Sequence, residues 1–194
     1  MWFGNVGGKS LKNKRLMQKS ILCSIAAAFV LWLVIYVLPC FGKLIDGPLV
    51  INQTASVPVG IYLKIPGKIR SGDYVLFEPD DWVKELKQQN GWVKPDEAEL
   101  PFIKKAVTAG HRYTIDNHTA SFIVDGRYIG QIFRDDNKGH EMPKQRQGTY
   151  IVPDGMFLPV GEASHSFDGR YTGPVSMERI IHRLVPVLTW PELK

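Results

Sequence analysis

Residues 21–38, ILCSIAAAFVLWLVIYVL, contain no charged side chain and nothing more polar than Ser24 and Tyr36. A helix needs roughly 20 apolar residues to cross the hydrocarbon core of a bilayer. The uncharged flanks Ser20 and Pro39–Gly42 complete that length, so the sequence predicts one transmembrane anchor over residues 20–42. Lys9, Lys12, Lys14, Arg15 and Lys19 precede it, with no acid among the first 19 residues. Cations on one flank orient such a helix with that flank inside. Residues 1–19 are therefore expected to be a basic cytoplasmic N-terminus, and residues 43–194 an exterior domain. In a Gram-negative cell that domain is periplasmic, on a single-pass inner-membrane protein. A cleaved signal peptide competes with this reading. Its apolar region usually spans about 7–15 residues and ends at a small-residue site. Here the run is longer and ends Val37-Leu38-Pro39-Cys40, which favours a retained anchor.

The charge balance follows from that placement. The 194-residue chain has 24 Lys+Arg and 19 Asp+Glu, a net charge of +5. Removing the five N-terminal cations leaves 19 basic against 19 acidic residues, a neutral remainder. The excess is thus an orientation signal rather than a surface for nucleic acid. A hydrophobic content of 44% excludes a wholly disordered chain. Two cysteines exclude a disulfide scaffold and a four-cysteine zinc site. Cys23 and Cys40 would lie roughly 25 Å apart along one helix, too far to pair.

Lys43–Val50 reads as a linker, with Gly47-Pro48 in it. Short β-branched and aromatic runs follow: Gly60–Ile65, Tyr74–Phe77, Phe102–Val107, Arg112–Ile115, Ser121–Val124, Tyr128–Phe133, Thr149–Val152, Met156–Val160 and Ile180–Val187. Pro66-Gly67, Ser71-Gly72-Asp73, Gly110, Asp125-Gly126 and Asp154-Gly155 punctuate them. This spacing predicts a mostly β domain. Asp125-Gly126 is a two-residue hairpin signal. Asp80–Gln89 suits one or two helical turns, and Asn90–Leu100 a polar surface loop.

Walker, GxGxxG, HExxH and GxSxG motifs are absent, and the five histidines have no zinc-ligand spacing. No cofactor or metal is expected. His165 near Asp168 reads as a solvated loop histidine. Three segments carry other chemistry. In Asn52–Tyr62, NQTASVPVGIY, Ser56 precedes a rigid then flexible stretch that can hold it in a fixed, exposed turn. In Leu100–Gly110, LPFIKKAVTAG, strand alternation sends Lys104 and Lys105 to opposite faces. Whichever points inward is desolvated, its pKa falls, and it can serve as a base at neutral pH. Taken alone, the segment is better explained by an edge-strand lysine with its head in water. Ser164–Gly173, SHSFDGRYTG, places Asp168 and Arg170 on one strand face, where they can pair.

In this order the three segments resemble the signal peptidase I family of membrane-anchored serine–lysine proteases. Thr54-Ala55-Ser56-Val57-Pro58 is similar to the family's S-x-S-M-x-P-T nucleophile box. Phe102–Val107 is similar to its [YF]-[IV]-K-R-x-[VI] lysine strand, and Ser166–Gly173 to its S-x-D-S-R-Y-x-G box. Ser71–Phe77 looks like the family's G-D-[IV]-V-x-F strand. Within the family, N-x-[ST]-x-S-x-P-x-G-x-Y resembles the TraF-type conjugative transfer peptidases, through Asn52, Thr54, Ser56, Pro58, Gly60 and Tyr62. Val57 stands where the housekeeping enzymes have Met, and Gly161-Glu162-Ala163 where they have G-D-N-R. Gly169 replaces a serine of the last box.

The resemblance implies an antiparallel β-sheet catalytic domain and a Ser/Lys dyad. Ser56 is the nucleophile and Lys104, rather than Lys105, the base. The Ser56 N–H and the Thr54 hydroxyl form the oxyanion hole. Ser166 orients the lysine, the Asp168–Arg170 pair supports Ser166, and Asn52 is a further supporting residue. The implied substrate is a propilin or another membrane-inserted precursor, cleaved for conjugative pilus assembly beside type IV secretion components. The acyl-enzyme then passes to water or to the pilin's own amine, which would cyclise it. The competing expectations are a general signal peptidase I and an inactive anchored scaffold. A self-cleaving repressor would need a DNA-binding domain for which the N-terminus has no room.

Overall fold

The computed structural model describes residues 23–30, 47–94 and 97–190. The chain divides into two units, residues 1–47 and 48–194. In the first, residues 23–30 are helical and exposed. The rest of the expected anchor lies outside the described residues. Among those described, no helix is long and apolar enough to cross a membrane.

The second unit is mostly β, and every strand pairing in it is antiparallel. One seven-stranded sheet has the order β1-β2-β11-β3-β4-β9-β10. Its strands are β1 (Leu49–Asn52), β2 (Gly60–Ile65), β3 (Tyr74–Phe77), β4 (Phe102–Thr108), β9 (Met156–Val160), β10 (Val175–Ser176) and β11 (Ile180–Thr189). A four-stranded sheet has the order β7-β6-β5-β8. It consists of β5 (Arg112–Asp116), β6 (Ser121–Val124), β7 (Arg127–Gln131) and β8 (Gly148–Ile151). The β6–β7 turn has φ 49° at Asp125 and 79° at Gly126. Positive φ at both centres matches the twist of the flanking strands, as the Asp-Gly signal anticipates.

Strand alternation builds three apolar clusters. Tyr113, Ile115, Phe122 and Val124 of the small sheet pack with Leu158 and Val160 of β9. Val57, Tyr62, Leu76, Ile103 and Leu184 form a second cluster beneath the Ser56 turn. Val75, Phe77, Ala106, Phe157 and Val175 form a third, with Phe102 against it. Ile103 and Ala106 lie on opposite faces of β4, so apolar contacts hold that strand from both sides.

Two expectations need correction, the linker bounds and the Asp168–Arg170 strand face, and two elements are defined more fully than the sequence allows. The linker assigned to Lys43–Val50 ends earlier, because Leu49 already pairs with Leu63 as the first residue of β1. The strand exists through its pairing with β2, which sequence periodicity cannot register over four residues. The stretch Asp80–Gln89 becomes α1 (Asp81–Gln89), a nine-residue helix with Asp80 at its N-cap. The two-residue strand β10 is too short to leave a pattern. Asp168 and Arg170 do not share a strand face: Asp168 caps a helical turn, α2 (Gly169–Thr172), and accepts from the Arg170 N–H. The expected pair still forms, because a capping carboxylate reaches the second residue of its own turn.

Gly60 shows why the serine segment ends as it does. A Cβ there would lie 2.2 Å from the Leu188 carbonyl oxygen and 2.8 Å from Thr189 Cα. Strand β11 therefore crosses where only a hydrogen fits. Gly60→Ala should destabilise the domain by roughly 2–3 kcal/mol, typical of overpacking. A loss of about 5–10 °C in the thermal unfolding midpoint would show it.

Candidate active site

Ser56 sits in the turn between β1 and β2, which the side chain of Asn52 holds in place. Asn52 is buried at the end of β1. Its Nδ2 donates to the carbonyls of Thr54 (2.8 Å), Pro58 (3.0 Å) and Val57 (3.1 Å). Its Oδ1 accepts from the Thr54 N–H at 3.1 Å and the Thr54 hydroxyl at 2.9 Å. One amide thus replaces the strand pairing that a turn cannot make for itself. Tyr62 Oη adds a 2.6 Å hydrogen bond to the Pro58 carbonyl. The Thr54 hydroxyl donates to Asn52 here, so the oxyanion role expected of it would require that proton to turn away from Asn52.

The two lysines of β4 separate as alternation requires. Lys105 is 37% exposed at its side chain and pairs with Glu162 at 2.8 Å. Lys104 is 3% exposed and donates to Ser166 Oγ at 2.8 Å. Burial pushes the Lys104 ammonium down to about 8, with the Asp168 charge opposing and the Arg170 charge assisting. That brings a neutral amine within reach at ordinary pH.

Ser166 reaches Lys104 because Gly161 leaves room. A Cβ at Gly161 would stand 1.9 Å from Ser166 Oγ, 2.4 Å from Ser166 Cβ and 3.0 Å from the Ser56 carbonyl oxygen. The next residue, Glu162, donates its backbone N–H to that same carbonyl at 2.7 Å. The Ser56 turn, the Gly161–Glu162 segment and Ser166 are therefore neighbours. The Glu162 carboxylate, tied to Lys105, also accepts from Tyr74 Oη at 2.5 Å.

Behind Ser166 lies a fully buried ion pair. Asp168 Oδ1 accepts from Arg170 Nε at 2.8 Å, and Oδ2 accepts from Arg170 Nη2 at 3.0 Å and the Gly161 N–H at 2.7 Å. Arg170 Nη1 donates to the carbonyls of Gln131 (2.9 Å) and Ser164 (2.7 Å). The carboxylate thus fixes Gly161 in front of Ser166, and the guanidinium fixes Ser164 just before it.

The structure brings Asn52, Thr54 and Ser56 together, and separately joins Lys104, Ser166, Asp168 and Arg170. Gly161 and Glu162 connect the two groups, and the sequence reading named them only as departures from a motif. Histidine 165 is exposed, as expected, and stacks on Phe133 with ring centroids 4.4 Å apart. Among the described residues, no group of three or more His, Cys, Asp or Glu could hold a metal.

A buried lysine held at the Ser166 hydroxyl, its ammonium weakened by burial, is chemically suited to accept a proton at ordinary pH. The chain belongs to the signal peptidase, peptidase S26 family, which matches it over residues 16–190. It is similar to a plasmid transfer protein TraF of Escherichia coli, 30% identical over 146 residues that cover 72% of this chain and 82% of that protein. A second plasmid transfer protein TraF of Escherichia coli is 28% identical over the same share of each.

Two stability measurements check this arrangement. Asp168→Asn leaves Arg170 buried without its counter-charge, and should cost about 3–5 kcal/mol in urea unfolding. Lys104→Met should be more stable than the parent at pH 7. The folded-state pKa lies below the ordinary 10.5, so the native state binds its proton less tightly than the unfolded chain. The burial penalty is full below about pH 8 and fades as pH rises towards 10.5. The advantage of Lys104→Met should shrink over that window.

Proposed function

We propose that this chain is a membrane-anchored serine endopeptidase in which Ser56 attacks a peptide carbonyl and Lys104 moves the proton. The observation that carries the reading is Lys104, buried on β4 and held at Ser166 Oγ, with the Ser56 turn fastened beside it through Gly161 and Glu162. Neutral Lys104 takes the Ser56 proton as Oγ adds to the carbonyl. The Ser56 N–H and the Thr54 hydroxyl stabilise the oxyanion, each such donor being worth about 10²–10³ in rate. The protonated lysine then gives its proton to the leaving amine, and an acyl-enzyme remains. Ser166, in hydrogen-bond contact with Lys104, holds the lysine on line.

The substrate is a propilin or a signal-peptide-like precursor held in the membrane, and the setting is conjugative transfer. The plasmid transfer relatives support that setting. The uncharged stretch 20–42 is the anchor, and the catalytic domain faces the periplasm. An apolar face supports placement at a bilayer. Leu49, Leu63 and Val185 form one cross-strand row, and Ile51, Ile61 and Leu188 the next. Side chains opposite one another share a face, and Leu49, Ile51, Val185 and Leu188 are exposed. Large exposed apolar patches mark docking surfaces.

Co-expression with a candidate propilin, followed by mass spectrometry of the product, tests the reading. Ser56→Ala and Lys104→Met should each abolish cleavage, and Lys105→Met should retain it. Persisting cleavage in either of the first two ends the dyad assignment. A product lighter by one water than the linear peptide shows aminolysis by the pilin's own N-terminus. The linear product shows hydrolysis. The rate constant kcat/KM should rise with pH through a midpoint near 8, where Lys104 loses its proton.

A further inference from the structure

Lys87 is a second buried lysine that the chemistry above does not use. It lies on α1, is 3% exposed, and donates to the carbonyls of Ala98 at 2.8 Å and Leu100 at 3.4 Å. Its Nζ also stands 4.6 Å from the centroid of the Phe102 ring. The nearby carboxylate of Glu99 goes instead to Lys84, at 3.0 Å. Two carbonyls and an aromatic face are a seat for a cation. Lys104 Nζ stands 5.7 Å from the centroid of that same ring. The two nitrogens are therefore at most about 10 Å apart.

We infer that Lys87 is a positioning residue for Lys104, acting through the Phe102 ring that both side chains approach. Two physical effects lead to it, and they have the same sign. By gripping Ala98, Leu100 and the ring, Lys87 fixes the start of β4 and keeps Phe102 as a wall that excludes water from Lys104. Its charge also disfavours a second charge nearby. At an effective dielectric near 20, a unit charge about 10 Å away moves a neighbour's titration by about one pH unit. Both effects favour neutral Lys104.

Other charged and polar groups also face the two lysines. Asp168 and Arg170 act on Lys104 from α2 with opposite signs, and Ser166 contacts it from the preceding loop. Lys105 and Glu162 pair with each other beside it. Burial lowers Lys87 itself, with Glu99 opposing and Lys84 assisting.

The inference rests on Lys104 being the base, so its test reads Lys104 both directly and through activity. The full chain, in detergent and labelled with ¹³C at lysine Cε, is titrated by NMR, with the Lys104 signal assigned by its loss in Lys104→Met. Lys87→Met should raise the Lys104 midpoint by about 0.5–1 pH unit. The acid limb of kcat/KM should move with it. Lys87→Arg should restore both, and Glu85→Gln, an exposed change on the same helix, should shift neither. Phe102→Leu, which removes the ring and keeps an apolar side chain, should also raise the midpoint. An unmoved Lys104 midpoint in folded Lys87→Met or Phe102→Leu overturns the inference. A moved midpoint with an unmoved rate limb upholds Lys87 and instead removes Lys104 as the base.

Discussion

The buried pair of Asp168 and Arg170 is the contact on which the arrangement of this site depends. Both side chains are fully excluded from solvent, a costly state for any charge. The cost is offset by satisfying nearly every polar atom of the pair. Arg170 reaches Asp168, the end of β7 and the Ser164 carbonyl, while Asp168 reaches the Gly161 N–H. These contacts fix both segments that flank Ser166. A surface pair would contribute little and would not specify position. Burial makes this one specific, because any displacement strands a charge without partners.

Lys104 inverts that logic. Asp168 and Arg170 are matched to each other by paired hydrogen bonds, whereas Lys104 is given a hydroxyl oxygen, an aromatic ring and strand contacts. None of these repays the desolvation of an ammonium, so its proton is held weakly. The fold carries this lysine at a cost in stability, as active sites often do. The same strand places Lys105 half in water against Glu162. Adjacent lysines thus take opposite roles because the side-chain period of a strand is two.

Short motifs are legible where local geometry dominates. Asp125-Gly126 announces its hairpin because the turn itself demands positive φ. Asn52, Thr54 and Pro58 surround Ser56 in sequence, and their contacts are with one another or with Tyr62 a few residues on. Helix α1 was legible in outline, but Lys87 was not. It stands one turn after buried Val83, on the face where an apolar residue is usual. That misplaced charge was the available signal. Only the packing of residues 98–102 over the helix shows why a lysine is accommodated there.

The sequence alone determined the composition of the site and the alternation of β4. It also determined the uncharged stretch 20–42 and the basic flank before it, from which an orientation is expected. It could do so because those properties are set by neighbours within a few residues. Which lysine is buried depended on the tertiary structure. So did the helical turn capped by Asp168, the strand β1 that frames the serine turn, and the passage of β11 over Gly60. The reason is distance along the chain. Lys104 meets Ser166 across 62 residues, and Gly60 meets Leu188 across more than a hundred. No local pattern records a contact whose two halves are specified so far apart.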